Sequence, residues 1–411
     1  MALIVHKYGG TSMGSTERIR SVAKRVAKWV HAGHQMIVVP SAMSGETNRL
    51  LGLAKELSPE QITPEAQREL DMIASTGEQV SVGLLSLALQ NEGLQAVSYA
   101  GWQVPIETDS SYTKARIERI ADKRVRSDLA EGKVVIIAGF QGVTPEGDFT
   151  TLGRGGSNAT LVALGAVLKA EVCENYTDVD GIYTADPRIV PKARKIERIS
   201  YDEMLELSGL GASVLQTRAV EFAKKYNVKI HVRNSQNDNQ GTWIVAETSN
   251  MEHIVVSGAA LKKDLTRVTI KGVPDRPGIV ATIFGTIGDA NIMVDDIIQT
   301  VSDDNTANVS FTIEHGDLHD IKPAVDALVK ELGGSTKATY QGDLAKVSVV
   351  GVGMRSHTGV AARMFRALAQ AKINIQNITT SEIKISCIID KEQADKALQV
   401  VHDAFELEKA K

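Results

Sequence analysis

Cysteine is scarce: Cys173 and Cys387 are the only two in 411 residues. They lie far apart in strand-like runs, which excludes a disulfide framework or a cysteine-based zinc site and predicts buried, reduced thiols. Aromatic residues make up only 4% of the chain, so its core must rest on Val, Ile, Leu and Ala. With 34 glycines available for tight turns, that composition suits α/β architecture better than a lectin-like sandwich. Neither sign of charge dominates, since 46 Lys+Arg face 50 Asp+Glu for a net charge of −4. A strongly basic nucleic-acid surface and an acidic disordered tail are both excluded. Long hydrophobic runs are missing too. The longest largely apolar stretch, residues 80–89, is half of a membrane span and contains serines. The opening MALIVHKYGG is too short and too soon charged for a secretory signal. A cytoplasmic protein with no membrane and no nucleic-acid partner is expected.

The chain is too long for one hydrophobic core, and its rhythm changes part-way. Residues 1–245 alternate strands and helices. Strands are predicted at 2–6, 36–39, 133–138, 171–176 and 228–232, and helices at 17–31, 159–168 and 215–226. A long helical pattern at 63–91 is interrupted near 75–77, and 115–131 reads as a charged amphipathic helix. Strands alternating with helices imply an α/β fold, a mainly parallel sheet between helix layers. The polar stretch SQNDNQG at 235–241 ends this pattern.

An internal repeat follows. Val268, Gly272, Val273 and Arg276 match Val347, Gly351, Val352 and Arg355 at a spacing of 79. After a two-residue insertion, Ile279, Ala281, Phe284, Ala290, Ile292 and Ile297 match Val360, Ala362, Phe365, Ala371, Ile373 and Ile378 at 81. Two βαββαβ domains are predicted at 254–341 and 342–411, packed together because so small a unit leaves a sheet edge to cover. The first turn of each repeat, as in Asp275-Arg276-Pro277-Gly278, brings helix N–H groups to a position that suits a carboxylate.

Three glycine- or polar-rich segments end predicted strands of the first domain, where open α/β sheets bind ligands. Lys7-Tyr8-Gly9-Gly10-Thr11-Ser12 lets backbone approach an anion while Lys7 places a point charge on phosphoryl oxygens. It is not a P-loop, because Ser15 stands where that motif needs lysine. Thr151-Leu152-Gly153-Arg154-Gly155-Gly156-Ser157-Asn158 sets an arginine among glycines, a grip for a carboxylate. The third segment runs from Tyr176 to Arg188. His31/His34 and His315/His319 have helix-compatible spacing but no third ligand nearby, so no protein metal site is expected.

KYGGTS, SAMSGETNRL (41–50), STGEQ (75–79), GFQGV (139–143), TLGRGGS and YTDVDGIYTADPR occur in the order found in aspartate kinases. The chain resembles the bacterial monofunctional type of that family over essentially its whole length, and its C-terminal repeat resembles paired ACT domains. The resemblance implies the amino-acid kinase fold, ATP with Mg²⁺, and L-aspartate as phosphoryl acceptor. It implies that Lys7, Tyr8, Gly9, Gly10, Ser12 and Ser41 meet the ATP phosphates. Thr177, Asp178 and the run Tyr183, Thr184, Ala185, Asp186, Pro187 and Arg188 would contact the nucleotide. Thr47, Glu78, Arg154, Gly155, Gly156 and Ser157 would hold aspartate. Lysine and/or threonine, as allosteric effectors, would meet Asp275, Gly278, Met293, Val294, Asp295, Gln299, Asn374, Ile375, Ser381 and Glu382. A homodimer or higher assembly through the ACT domains is expected, and Met251 resembles the start of a regulatory subunit in some relatives.

The chain departs from the family pattern twice. Asn158 stands where the family has Asp after GRGGS, and Ser213 stands where it usually has lysine. Each loses a charge at the expected catalytic and nucleotide sites, with Lys192 or Lys195 as compensating cations. An active kinase, an impaired homologue that only senses amino acids, and a kinase with another small acid as acceptor are therefore all weighed. Asp296, an extra carboxylate in VDDIIQT, either favours a cationic effector or faces water.

Overall fold

The computed structural model describes residues 2–57, 63–211, 214–246, 255–290, 292–302 and 305–409. By their contacts they form two units, residues 1–183 with 195–251 and residues 184–194 with 252–411. Thr184–Arg194, counted in the N-terminal domain from sequence, thus belongs to the second unit.

The first unit opens with β1 (Leu3–Tyr8), α1 (Thr16–His31), β2 (Gln35–Pro40), α2 (Glu46–Leu57) and α3 (Pro64–Asn91). Next come β3 (Ala96–Tyr99), β4 (Ile106–Thr108), β5 (Ile117–Ile120), α4 (Lys123–Ala130), β6 (Val134–Ile137), β7 (Gln141–Val143) and β8 (Phe149–Thr151). It closes with α5 (Gly156–Leu168), β9 (Val172–Thr177), β10 (Arg198–Ser200), α6 (Tyr201–Gly209), α7 (Thr217–Tyr226), β11 (Ile230–Asn234) and β12 (Thr242–Val245). Eight strands form one sheet in the order β10-β12-β11-β9-β1-β2-β6-β3, parallel except between β11 and β12. A smaller sheet, β5-β4-β7-β8, stands beside it.

Alternation along the strands divides the side chains between two helix layers. Ile4, Tyr8, Met36, Val38, Val134, Ile136 and Tyr176 pack with Ile19, Val22 and Val26 of α1 and Leu85 and Leu89 of α3. Cys173, on the opposite face, has its thiol against Leu161 O of α5. Val5 and Lys7 lie beside Cys173 and Asn175 in register, which turns Lys7 toward the α5 face. Both cysteines are buried and free. Among the described residues, α3 alone is long and apolar enough to cross a membrane, and half of that window is buried inside the protein.

Two helical expectations need correction. The predicted interruption in α3 does not occur. Ser75 and Thr76 hydroxyls bond back to Met72 O and Ile73 O, and Gly77 is where the helix touches Ala42, 2.8 Å from an added Cβ. The predicted helix at 115–131 is instead β5 followed by the short α4. Ala115 N and Ile120 are drawn into the small sheet, whose pairing overrides the local charge pattern. Helix α2 was not foreseen. It has no buried residue, so it lacks the apolar stripe that periodicity detects.

The second unit contains β13 (Gly258–Pro274), α8 (Ile279–Asp289), β14 (Asp295–Val301), β15 (Thr306–Glu314), α9 (Leu318–Leu332) and β16 (Lys337–Val350). Then follow α10 (Val360–Gln370), β17 (Asn377–Thr380), β18 (Lys384–Asp390) and α11 (Ala394–Ala404). The two repeats share one sheet, β14-β15-β13-β16-β18-β17. The first is βαββαβ as expected, but the second has no closing strand after α11. Its fourth strand is the leading half of β13, whose Gly258–Lys262 pair with Lys346–Val350. Both long strands bend where they pass between repeats, at Asp264 (φ 61°) and Asp343 (φ 53°). Each repeat keeps its own core, Val268, Ile283, Phe311 and Val325 in one and Val347, Met364, Leu368 and Leu398 in the other.

Candidate active site

The turn after β1 is built from backbone. Gly9 N donates to Tyr176 O at 3.2 Å, and Ser12 N and Met13 N turn back to Gly9 O at 2.9 and 3.1 Å. A side chain at Gly10 would press on Ala42 O, 3.2 Å from an added Cβ, so a small residue there lets this turn and the one after β2 lie together. Ser41 N donates to Tyr8 O, and Ser41 Oγ to Ser157 Oγ at 3.0 Å. Ser12 Oγ donates to Ser235 Oγ at 2.8 Å. The turns after β1, β2 and β8 are thereby brought together.

Lys7 is 8% exposed and makes no hydrogen bond or ion pair among the described residues. Burial brings its ammonium from 10.5 down to about 8, with the Asp178 charge alone pulling the other way. Asn158 and Asn175, both buried, each keep a side-chain oxygen without a partner. Buried polar groups are rarely left so, and orphans on one sheet face mark a place prepared for a ligand. Tyr8, expected at the phosphates, has its ring on the other face, stacked on Tyr176 at 4.8 Å with its hydroxyl on His6. Only its backbone borders the turn.

The TLGRGGS segment leads into α5 through Gly153 (φ 76°) and Gly155 (φ 72°), left-handed positions that favour glycine. Gly156 packs against Leu152 and Phe140, with 2.8 and 3.0 Å to an added Cβ. Arg154 stands exposed and unpaired among the described residues, whereas Ser157 and Asn158 are buried in the first turn of α5. Glu78 is 3% exposed. Its Oε1 accepts from Ala42 N at 3.0 Å and its Oε2 is orphaned. Burial raises this carboxyl to about 7, against the lowering pull of the Ala42 N–H. Thr47 is half-buried on α2.

Thr177 Oγ1 caps the next turn by accepting from Val179 N at 3.0 Å, and Asp178 stands exposed. Asp180 is held by Asn234, Asn237 and Asn239, at 2.7, 3.0 and 3.1 Å. These amides keep its pKa low and fasten the loop to the SQNDNQG stretch. From Thr184 onward the structure departs from a simple nucleotide loop. Thr184 and Ala185 are buried in the second unit, with Thr184 Oγ1 3.0 Å from His402 Nε2, and Asp186 accepts from Arg188 at 2.7 Å. The two suggested compensating lysines are already engaged, Lys192 with Asp403 and Lys195 with Gln240 O. Ser213 and Met251 lie outside the described residues.

Two residues beside these turns carry no motif that singles them out. Asn175 lies opposite Lys7 in the sheet. Arg218 Nη1 reaches Leu152 O at 3.5 Å while Nη2 is buried without a partner. Both sit inside ordinary strand and helix patterns, and only their orphaned atoms distinguish them.

In the second unit, Gly278 (φ 94°) caps α8 and Asp275 N donates to Asn305 O. Met293 and Gln299 are exposed, Val294 and Ile375 half-buried, and Ser381 N donates to Lys384 O at the end of β17. Asn374 belongs to the turn after α10, and Glu382 pairs with Arg355 at 3.1 Å. Asp296 takes neither expected role. Its side chain is 5% exposed and meets Lys346, itself 1% exposed, at 2.5 Å. Thr379 donates to its other oxygen, and Lys346 also pairs with Asp295 at 2.6 Å.

Residues 2–234 match the model of the amino acid kinase family, and 266–333 and 347–405 match ACT domain models. The aspartate kinase of Pseudomonas fluorescens (strain SBW25) is 52% identical over 99% of this chain and 98% of its own length. The chain belongs to the aspartate kinase family. Another relative is the aspartokinase of Helicobacter pylori (strain ATCC 700392 / 26695), 50% identical over 99% of this chain and 100% of its own. Among solved structures, E. coli aspartokinase III in complex with aspartate and ADP (R-state) is similar at TM-score 0.84. It is 26% identical and covers 98% of this chain and 99% of its own. As an aspartate kinase, the protein is an ATP-dependent phosphotransferase with an amino acid kinase domain followed by two ACT domains.

Proposed function

We propose that the enzyme moves the γ-phosphoryl group of ATP onto the side-chain carboxylate of L-aspartate, giving 4-phospho-L-aspartate, with Lys7 as the catalytic cation. The observation that carries this reading is a buried ammonium at a glycine turn with no counterion of its own. A carboxylate oxygen attacks γ-phosphorus as the bond to the β-phosphate oxygen breaks, and ADP leaves. The acceptor is already an anion, so no general base is required. Repulsion between two anions is what opposes the reaction, and cations and N–H donors relieve it.

Lys7 and the Gly10 N–H face the phosphates at the turn that the bonds of Gly9 N and Ser12 N hold in shape, with Ser41 beside them. Glu78, its Oε2 free, receives the substrate ammonium together with Thr47. Arg154 grips a carboxylate, and Gly155, Gly156 and Ser157 line its place. Thr177, Asp178 and Tyr183 serve the nucleotide. Mg²⁺ travels with ATP and adds charge neutralisation at the phosphates. Asn158 keeps an unpartnered amide oxygen in the first turn of α5, open to a donor that arrives with the reactants. The same amide favours a second reading, a slow enzyme retained for amino-acid sensing, because a carboxylate there would neutralise Lys7 better.

Lysine and/or threonine bind the ACT pair between the first turns and the β14 and β17 edges. Support comes from E. coli aspartokinase III, whose solved structures include a complex with lysine and aspartate (T-state), at TM-score 0.74 and 26% identity. Such control fits an enzyme that begins the route to lysine, threonine and methionine. Exposed Ile297 and Val301 on β14 and Ile378 on β17 suit a homodimer built on these edges. Hydroxylamine trapping tests the reaction: with ATP, Mg²⁺ and aspartate, the chain should form aspartyl β-hydroxamate. Glutamate should give far less. Absence of hydroxamate with purified protein would leave only the sensing role.

A further inference from the structure

Helix α11 ends in His402 and Asp403, and the chain then doubles back. Glu406 adopts a left-handed conformation (φ 52°), and Leu407 N donates to His402 O at 3.2 Å. The reversal returns Glu408 to the helix end. One ligand atom each from His402, Asp403 and Glu408 then lies within 4.8 Å of the others. His402 is fully buried, and its Nδ1 has no hydrogen-bond partner among the described residues. Glu408 Oε2 is likewise a buried oxygen without a partner. The nearest Asp403 oxygen is 3.8 Å from Nδ1, too far for a hydrogen bond but suited to an ion between them.

The imidazole is oriented from behind. Nε2 lies 3.0 Å from Thr184 Oγ1, which also accepts from Arg194 N at 3.0 Å. With the ring proton on Nε2, Nδ1 presents its lone pair to the two carboxylates, and a second partner that fixes the tautomer is the usual companion of a metal-binding histidine. One positive group already faces the cluster. Lys192 Nζ is 2.6 Å from Asp403 Oδ1, with half of its side chain exposed. It serves Asp403 and leaves Nδ1 and Glu408 Oε2 unmatched.

We propose that His402, Asp403 and Glu408 form a site for a divalent first-row cation, with Zn²⁺ favoured by the mixed nitrogen–oxygen donor set. Two carboxylates balance the charge of the ion, and three protein ligands leave a position for water. Lys192, being half exposed, swings outward. The ion fastens Thr184–Arg194 against α11 through the Thr184–His402 contact. All of its residues belong to the second unit, and the proposal runs against the sequence expectation of no protein metal site.

The test uses the full-length chain, stripped with chelator and free of nucleotide. Titration calorimetry with ZnCl₂ should show one equivalent taken up per chain, and Co²⁺ should give a visible d–d spectrum. Asp403→Asn and Glu408→Gln should each weaken binding by at least about tenfold while leaving the melting temperature of the metal-free protein in place. Lys192→Ala, which removes the competing ammonium, should bind more tightly. The proposal is overturned by a lack of saturable uptake in both the native chain and Lys192→Ala, which would make the cluster a counterion for Lys192. Uptake unchanged by the Asp403 and Glu408 substitutions would overturn it equally.

Discussion

Lys7→Met should stabilise the free protein and disable the enzyme. Burial holds the ammonium at about 8 instead of 10.5, a difference that corresponds to about 3 kcal/mol of folding free energy. Because the folded-state value is depressed, the unfolded chain binds more protons between pH 8 and 10.5. The cost is therefore fully present below pH 8 and is relieved as pH rises toward 10.5. Methionine fills similar space without a charge and should raise the thermal transition of the N-terminal unit at pH 7 by up to roughly 5–10 °C. The same substitution removes the charge that phosphoryl oxygens would meet, and kcat should fall by about 10²–10³-fold. In the native enzyme, kcat/KM for ATP should hold steady below pH 8 and drop about tenfold per pH unit above it, as free Lys7 loses its proton. Asp178→Asn removes the group that holds the value up and should move that limb to lower pH. Differential scanning fluorimetry and a coupled ADP assay between pH 6.5 and 9.5 read both effects. A Lys7→Met protein that melts earlier than the parent, or a profile flat through pH 9.5, would refute the placement of an uncompensated cation at this turn.

Glu78→Gln keeps the acceptor for Ala42 N but cannot carry charge, so KM for aspartate should rise at least about tenfold. In the parent, kcat/KM for aspartate should climb with pH through about 7 as Glu78 ionises, and the variant should lose that limb. Asn158→Asp should raise turnover by about ten- to a hundredfold and shift the alkaline limb above 8, since a carboxylate would stabilise the Lys7 charge. An unchanged limb, read in the same pH series, would separate position 158 from Lys7. In the regulatory unit, Lys346→Met strands the buried Asp296 and should cost about 3–5 kcal/mol in urea unfolding. Asp295→Asn, at a half-exposed carboxylate that leaves the Asp296 pair intact, should cost under about 1 kcal/mol.

Strand–helix alternation made the parallel sheet legible, because strands buried on both faces read as short apolar runs such as residues 134–137. Matching apolar positions likewise exposed the two repeats. Residues 117–120 misled because they continue the charge pattern of the helix at 123–130 while their backbone is claimed by β4, a tertiary choice that no local pattern encodes. The exchanged strand was hidden for a similar reason: residues 258–262 look like the start of the first repeat and pair far down the chain. Glycine turns announced Lys7 and Arg154. Asn175 and Arg218 were silent, since a lone polar residue within a strand or helix says nothing about whether its atoms find partners. Asp296 showed its charge in the sequence but not Lys346, which lies on another strand.

The lending of β13 to the second repeat has a consequence during synthesis. Leu261 pairs with Val347, so the ribosome must add some 86 residues after the lender before the borrower exists. At about 5–20 residues per second this is a wait of roughly 4–17 seconds, with a sheet edge bare. The nascent chain is open to mispairing throughout that interval. The second repeat cannot mature without the strand that precedes the first, and a cut between the repeats leaves the second one strand short.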